Sequence, residues 1–428
     1  MAHIGIICVP GPSHITTFGT LGRELRKRGH YVTLFGIPDT ESRARLQGLE
    51  FQVIGATDYP LGSKAETFPA LPNTTTTEYT QEKVTDSMTR RTNMICRDAP
   101  GSLKEAGVEI LLVDQLEPAG GTVAEFLGIP FITVCCSLAL NREISIPPAA
   151  IPWLWRYQKT WRAYLRNWIG HYLVDFIGVR PVNAVLNKYR QQWNLPILHS
   201  AEDSFSRLAQ ISQLTAEFDF PRTRLPEHFH YTGPFRTSSP EAGTFPYEQL
   251  TGQPLVYASL GTELGRKYEK IFYYIAEACQ DLDCQLVITY GGQTGSNTAQ
   301  RLPGTPLVVS YAPQLELLAR AKLTITHAGL NTVLESLSKG VPLVAIPIMY
   351  DHPGMAARII WTGTGEIVRL KRLSVPRLRA AIQRVLTEPS YAQNAARLQA
   401  SILQSGGVVR AADIVEQVIE TGKPVFAH

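Results

Sequence analysis

One pattern, used twice, constrains this chain most. In the first half "HIGIICVP", "YVTLFG", "EILLVDQ" and "PFITVCC" are short apolar runs with helical stretches between several of them. In the second half "PLVYASLGT", "QLVITYGG", "PLVVSYAP", "KLTITHAG" and "PLVAIPIM" repeat the scheme, each run ending in small or polar residues. A strand that is apolar throughout must be covered on both faces. A parallel sheet clothed by helices on each side provides that cover. The stretch after the first run places Phe18, Leu21 and Leu25 on one helical face, and "RKRG" closes it with basic residues and a glycine. The polar segment "RTSSPEAGTFPYEQLTGQP" divides the halves. With 428 residues, too many for one ordinary core, the expectation is two doubly wound α/β domains, 1–235 and 254–428, joined by a linker at 236–253. The last helix is expected to pack back on the first domain. Ligands of such sheets sit beyond the carboxyl ends of the strands, so two mouths would face each other across a cleft.

Composition removes some classes. Hydrophobic residues make up 44% and charged residues 18%, and the formal charge of +4 gives no electrostatic case for nucleic acid. The apolar start is too short for a secretory core and lacks a basic flank, and no run of roughly twenty uncharged apolar residues reads as a membrane span. Six cysteines without a C-x-x-C pair suit free thiols in a reducing, cytoplasmic setting. One segment stands apart. Pro147 to Val179 carries Trp153, Trp155, Trp161 and Trp168 among arginines, with Leu154, Leu165 and Ile169 between them. It reads as an amphipathic helical excursion that walls an apolar pocket, or as a peripheral contact with a membrane surface.

The strand ends carry the chemistry. "THAGLNTVLESL" packs His327, Gly329, Asn331 and Glu335 into the start of a helix expected near Asn331. A helix N-terminus exposes unpaired N–H groups and a positive dipole end, which suits phosphate. His327 and the amides of Leu330, Asn331 and Thr332 fit a diphosphate, and Glu335 fits ribose hydroxyls. "YAPQ" offers the Tyr311 ring for stacking, the Ala312 backbone for a base edge, and Gln314. "SLGT" adds Ser259, Gly261 and Thr262 as a second phosphate contact, and "PIMYDHPGMAARI" places Asp351 beside His352 for sugar hydroxyls. In the first half His14 follows the first strand at a helix start. There a neutral imidazole can take a proton from a hydroxyl acceptor. A carboxylate behind the ring would hold its tautomer. Asp114 ends another strand at the same mouth, and Glu117 is its rival.

The span from Tyr311 to Ala356 reads Tyr-x-x-Gln, His-Ala-Gly-x-Asn-Thr-x-x-Glu-Ser, Gly-Val-Pro and Pro-x-x-x-Asp. It resembles the donor signature of UDP-glycosyltransferases of the two-Rossmann-domain, GT-B type. The resemblance implies UDP stacked on Tyr311, where the family usually has Trp, with Gln314, His327 and Glu335 in their family roles. It implies His14 as general base with Asp114 as partner, inversion at the anomeric carbon, a UDP-sugar donor and no metal. The family's closing Asp-Gln pair is Asp351-His352 here. UDP-glucose is the expected donor, and the histidine brings UDP-galactose into view. "DLD", Asp281 to Asp283, precedes a strand and reads as a connection rather than a metal site. The first-half stretches "VDQLEPAGGTVAEFLGIPF" and "LALNREISIPPAAIPW" resemble one branch, the bacterial zeaxanthin glucosyltransferases. That points to a small hydrophobic hydroxyl acceptor such as a carotenoid, terpenoid, sterol or phenolic, handled by a monomer or weak homodimer. A nucleotide-sugar epimerase of like build and a non-catalytic UDP-sugar binder are the rival classes. The first would need no acceptor, and the second would tolerate loss of His14.

Overall fold

The first sheet runs in the order β3-β2-β1-β4-β5-β6-β7, with every pair parallel. Its strands are β1 (His3–Ile7), β2 (Tyr31–Gly36), β3 (Glu50–Val53), β4 (Ile110–Asp114), β5 (Phe131–Cys135), β6 (Gln210–Ser212) and β7 (Phe229–Tyr231). The second sheet runs β10-β9-β8-β11-β12-β13, again all parallel. It contains β8 (Leu255–Ser259), β9 (Gln285–Thr289), β10 (Leu307–Val309), β11 (Ala321–Thr326), β12 (Leu343–Ala345) and β13 (Gly365–Ile367). This computed structural model describes residues 1–63, 81–149, 151, 153–235, 245–264, 268–291 and 302–427. The linker's 236–244 and the side chain of Thr262 therefore lie outside the described part.

Alternation along each strand explains why the runs are apolar throughout. Ile110 and Leu112 enter one core cluster, while Leu111 and Val113 enter the cluster on the opposite face. β8 does the same, with Val256 and Ala258 on one side and Leu255 and Tyr257 on the other. Phe18, Leu21 and Leu25 are fully buried on the first helix, α1 (Pro12–Lys27), as their spacing predicts. The strands that pattern reading missed, β3, β6, β7 and β13, are three or four residues long.

The helix Gly407–Thr421 lies on α1, and its Ala411, Ile414, Val415 and Val418 join the core of the first sheet. Arg28, the C-cap of α1, reaches Asp413 at 2.7 Å and Glu416 at 2.6 Å. The chain beyond this helix stays there, with the Val425 amide donating to the Leu208 carbonyl at 2.9 Å.

A second contact between the halves is ionic and buried. Arg358, on the helix His352–Thr362, donates from Nε and Nη2 to Asp219 Oδ1 at 2.8 and 2.6 Å. Arg222 Nε and Tyr231 Oη both donate to Asp219 Oδ2 at 2.8 Å. Burial alone would raise the Asp219 pKa, but Arg358 and Arg222 outweigh it and hold the carboxyl well below its ordinary value.

Candidate active site

Each sheet reverses its strand order once, between β1 and β4 in the first and between β8 and β11 in the second. Neighbouring loops diverge there and leave a crevice. In the first sheet Ile7 pairs with Val113, so the residues after β1 and the end of β4 emerge side by side. β4 ends on Asp114. β1 runs into a short turn, Pro12 opens α1, and His14 falls in its first turn. His14 Nδ1 lies 2.5 Å from Asp114 Oδ2. Asp114 is fully buried and also accepts from the amides of Val9 at 3.3 Å and Leu116 at 3.1 Å. These three donors compensate a carboxylate that burial would otherwise penalise. The imidazole is 14% accessible, and its Nε2 has no hydrogen bond among the described residues. Burial pulls the His14 pKa down. The Asp114 charge and hydrogen bond, with the charges of Asp351 and Glu117, pull it up, and the net direction is up.

Glu117 is turned elsewhere. Its Oε1 accepts from Arg91 Nε at 2.7 Å, and burial raises its pKa against that partner. Of the two carboxylates, Asp114 is the one that holds His14. Cys136 completes a cluster in which one ligand atom each of His14, Asp114 and Cys136 lies within 4.8 Å of the others. A cation there would want a thiolate, whereas burial and the Asp114 charge keep the Cys136 pKa well above its ordinary value. All six cysteines are free, four of them buried.

In the second sheet Thr326 of β11 pairs with Ser259 of β8, so the loops after both strands adjoin. His327 lies between two glycines. A Cβ on Gly261 would sit 2.9 Å from the imidazole Cε1, and one on Gly329 would sit 2.3 Å from Nε2. The ring occupies the space that any larger residue would need. Gly261 also has φ +76°, and its amide donates to Ser259 Oγ at 3.3 Å. Burial lowers the His327 pKa to about 4, against the pull of a hydrogen bond to the Ser259 backbone, so the ring is neutral at pH 7. Ala328 holds a left-handed φ of +70°, an uncommon backbone for a residue with a Cβ. The helix Leu330–Ser338 then begins, one residue before the expected Asn331, with Gly329 as N-cap and no side chain capping it. Leu330 and Thr332 are buried there, and Asn331 is half-buried.

The "YAPQ" turn meets this helix. Gln314 opens the helix Gln314–Leu318, and its Nε2 donates to Glu335 Oε2 while its Oε1 accepts from Tyr257 Oη at 2.8 Å. Tyr311 is half-buried at the same edge, and Ala312 packs into the core with Tyr257 and Leu317. Sequence spacing brought Gln314 and Glu335 into one site but gave no sign that they touch.

Asp351 and His352 part company. Asp351 Oδ2 accepts from the Leu138 amide at 3.3 Å, and Leu138 lies just past β5 of the first sheet. The carboxylate thus bridges the two mouths. Burial raises its pKa, against the Leu138 amide and the His14 charge. His352 is turned inward instead, with its ring edge-on to His327 at 4.6 Å. Its Nδ1 accepts from the Met349 amide at 3.2 Å, which leaves the proton of the neutral ring on Nε2. Burial and neighbouring His327 push its pKa well below the ordinary value. "DLD" precedes β9, away from the carboxyl ends. Asp281 pairs there with Arg379 at 2.9 Å and Asp283 accepts from Gln253 at 3.0 Å. The Trp-rich segment also departs from a pocket wall: Trp153, Trp161 and Trp168 face solvent.

Two parallel Rossmann-like sheets with their mouths bridged from Leu138 to Asp351 make a fold of GT-B type. Residues 13–405 match the family described as "UDP-glucoronosyl and UDP-glucosyl transferase", and the chain belongs to that UDP-glycosyltransferase family. It is 35% identical to a zeaxanthin glucosyltransferase of Pantoea ananas, over 100% of this chain and 98% of that one. A zeaxanthin glucosyltransferase of Pseudescherichia vulneris is 32% identical, over 99% of this chain and 100% of that one. Among solved structures the calicheamicin glycosyltransferase CalG4 shares the fold with a TM-score of 0.75 at 22% identity, covering 99% of this chain and 100% of that one. The glycosyltransferase VinC in complex with dTDP does so with a TM-score of 0.69 at 18% identity, covering 98% and 100%.

Proposed function

We propose that this glycosyltransferase moves a hexose, glucose foremost, from UDP to a hydroxyl of an apolar small molecule, with inversion at the anomeric carbon. The observation that carries the reading is the 2.5 Å contact between His14 and Asp114, at a mouth bridged to the uncapped helix start beside neutral His327. His14 Nε2 takes the proton of the acceptor hydroxyl while Asp114 keeps Nδ1 protonated and offsets the imidazolium charge. The acceptor oxygen bonds to the anomeric carbon, the bond from that carbon to the diphosphate breaks, and UDP leaves with the electron pair. The amides of Leu330, Asn331 and Thr332, with His327, Ser259, Gly261 and Thr262, meet the charge on the departing diphosphate. No step then requires a metal. Tyr311 and Ala312 take the uracil, Gln314 and Glu335 the ribose, and Asp351 the sugar, with His352 behind it.

On this reading residues 1–235 bind the acceptor and 254–428 the donor. One polypeptide supplies both halves of the site, so a monomer or weak homodimer suffices. Six unbridged cysteines support a cytoplasmic location. Relatives named zeaxanthin glucosyltransferases favour a carotenoid among apolar acceptors, with terpenoids, sterols and phenolics next.

Product masses across matched panels test the reading. UDP-glucose with zeaxanthin should give hexosylated product, also in the presence of a chelator, and free sugars should be poor acceptors. Higher specificity constants for free sugars than for lipophilic alcohols would overturn the acceptor class. Turnover with UDP-galactose but not UDP-glucose would overturn the donor.

Glu335→Ala addresses the donor site separately. Hydrogen bonds to a charged acceptor are worth about 1.5–3 kcal/mol each. Calorimetric UDP affinity is therefore expected to fall at least ~10-fold, and unchanged affinity would remove Glu335 from the ribose site.

A further inference from the structure

The helix Trp161–Val174 is built the wrong way round for water. Its buried residues are Ala163, Asn167 and Gly170. Asn167 Nδ2 donates to the Ile144 carbonyl at 3.0 Å, and His171 Nε2 lies 3.2 and 3.0 Å from the carbonyls of Glu143 and Ile146. Gly170 is required at the contact, because a Cβ there would lie 2.6 Å from the Trp155 ring. The outward face carries the large apolar side chains. Trp161 (70% exposed), Leu165, Ile169, Leu173 and Ile177 follow one another at helical steps of four. Beside them Trp168 (54%), Tyr172 and Phe176 (55%) form a second row, with stacked rings 6.3 and 6.2 Å apart. From 161 to 177 this face is roughly 25 Å long at the helical rise. A water-soluble surface helix normally shows the opposite polarity.

The surrounding charge is of one sign. Residues 144–174 contain no aspartate or glutamate but do contain Arg156, Lys159, Arg162 and Arg166. The next acid, Asp175, is held by Arg142 at 3.4 Å and Arg180 at 3.0 Å. Arg156 also lines a cavity of about 430 Å³ together with Arg369, Arg372, Arg377 and Arg384. The acid in that lining, Glu366, is already engaged by Arg384 at 3.1 Å. Arg156, Arg369, Arg372 and Arg377 have no carboxylate partner among the described residues. The cavity and the aromatic helix adjoin through Arg156, whose carbonyl accepts from Arg166 Nη2 at 3.0 Å.

We propose that this side of the enzyme rests on an anionic phospholipid bilayer. The tryptophan face enters the headgroup region, and the arginine cavity takes headgroup phosphates. Tryptophan and tyrosine favour that interface, and arginine stems can lie along it with their charges in the headgroups. No helix among the described residues is long and apolar enough to cross a membrane, so the contact is peripheral. The inference does not depend on which acceptor the enzyme glycosylates.

Sedimentation with vesicles tests it, using phosphatidylcholine alone and mixed with an equal part of phosphatidylglycerol. The native chain should partition onto the mixed vesicles and come off at high salt. Trp168→Ser with Phe176→Ser should lower the partition coefficient at least ~10-fold. Arg369→Gln with Arg372→Gln and Arg377→Gln should do the same, since a basic residue near an anionic surface contributes about fivefold. All these sites are exposed, and unchanged circular dichroism would confirm that the variants fold. A native chain that ignores mixed vesicles, or either variant set binding as tightly as native, overturns the proposal. A dimer that the aromatic variant dissolves, without vesicle binding, would assign the face to a second copy and overturn it as well.

Discussion

Replacing His14 by alanine is expected to lower turnover by about 10²–10⁴-fold, the usual worth of a general base, while UDP still binds. Neither carboxylate of that sheet beside the ring can take its place. Asp114 is buried and spends its oxygens on His14, Val9 and Leu116, and Glu117 is held by Arg91. The groups assigned to UDP stand on the other sheet and do not touch His14. Near-native turnover in His14→Ala would end the assignment. The pH profile gives an independent check. The working base is the neutral imidazole, and the His14 pKa is raised above its ordinary 6.5. Activity should therefore be lost as pH falls through a kcat/KM limb lying above 6.5. Asp114→Asn removes the foremost raising influence and leaves burial, which lowers the pKa. The acid limb should then move down even as the rate falls through loss of the held tautomer. A limb unmoved by Asp114→Asn would mean that some other group titrates.

Asp219→Ala is expected to cost about 3–5 kcal/mol of stability, because it strips a buried ionic cluster of its acid. Arg358 and Arg222 would be left facing each other with no carboxylate between them. Arg358→Met should cost less. It leaves Asp219 paired with Arg222 and Tyr231, and it returns an apolar chain to the space beside Phe220, over whose ring the guanidinium now lies at 4.3 Å. Urea midpoints of the two variants and the native chain decide the matter, and equal losses would contradict the account. The sign with pH also follows. The Asp219 pKa is depressed in the folded protein, so its contribution is complete above its ordinary 3.8 and is lost as pH falls through the lower folded value. Mild acid should leave the Asp219→Ala deficit unchanged.

The fold and most of the residues at the candidate site were legible because they lie on or just past strands. A run such as "ILLVD" announces a buried strand, its last residue marks the carboxyl edge, and neighbouring strands bring edge residues together. Asp114 and His327 were found in that way. What stayed hidden depends on directions and pairings that periodicity does not carry. A helical excursion was expected over Pro147 to Val179, but the α-helix spans only Trp161–Val174, and which of its sides faces inward is set by the fit of Gly170 against Trp155. The inward turn of His352 depends on the Tyr350 turn, where φ is +52°, and on the Met349 amide. The bridge from Asp219 to Arg358 joins residues that no local pattern links. The short strands β3, β6, β7 and β13, at or next to the sheet edges, are too brief to show a period.

The return of the helix Gly407–Thr421 to the first sheet bears on how the protein is made. Ala411, Ile414, Val415, Val418 and Val425 belong to the same core as Ile4, Phe18 and Leu112. On a ribosome that sheet has all its strands once Tyr231 has emerged, yet one flank of its core stays open until Ala411 follows. At ~5–20 residues per second the interval is roughly 10–35 s, during which the whole second sheet is synthesised. Apolar surface on α1 is uncovered for that time, so the later-made half can complete its own core first. The nascent chain is then most exposed to chaperones and to aggregation along α1, rather than at its growing end.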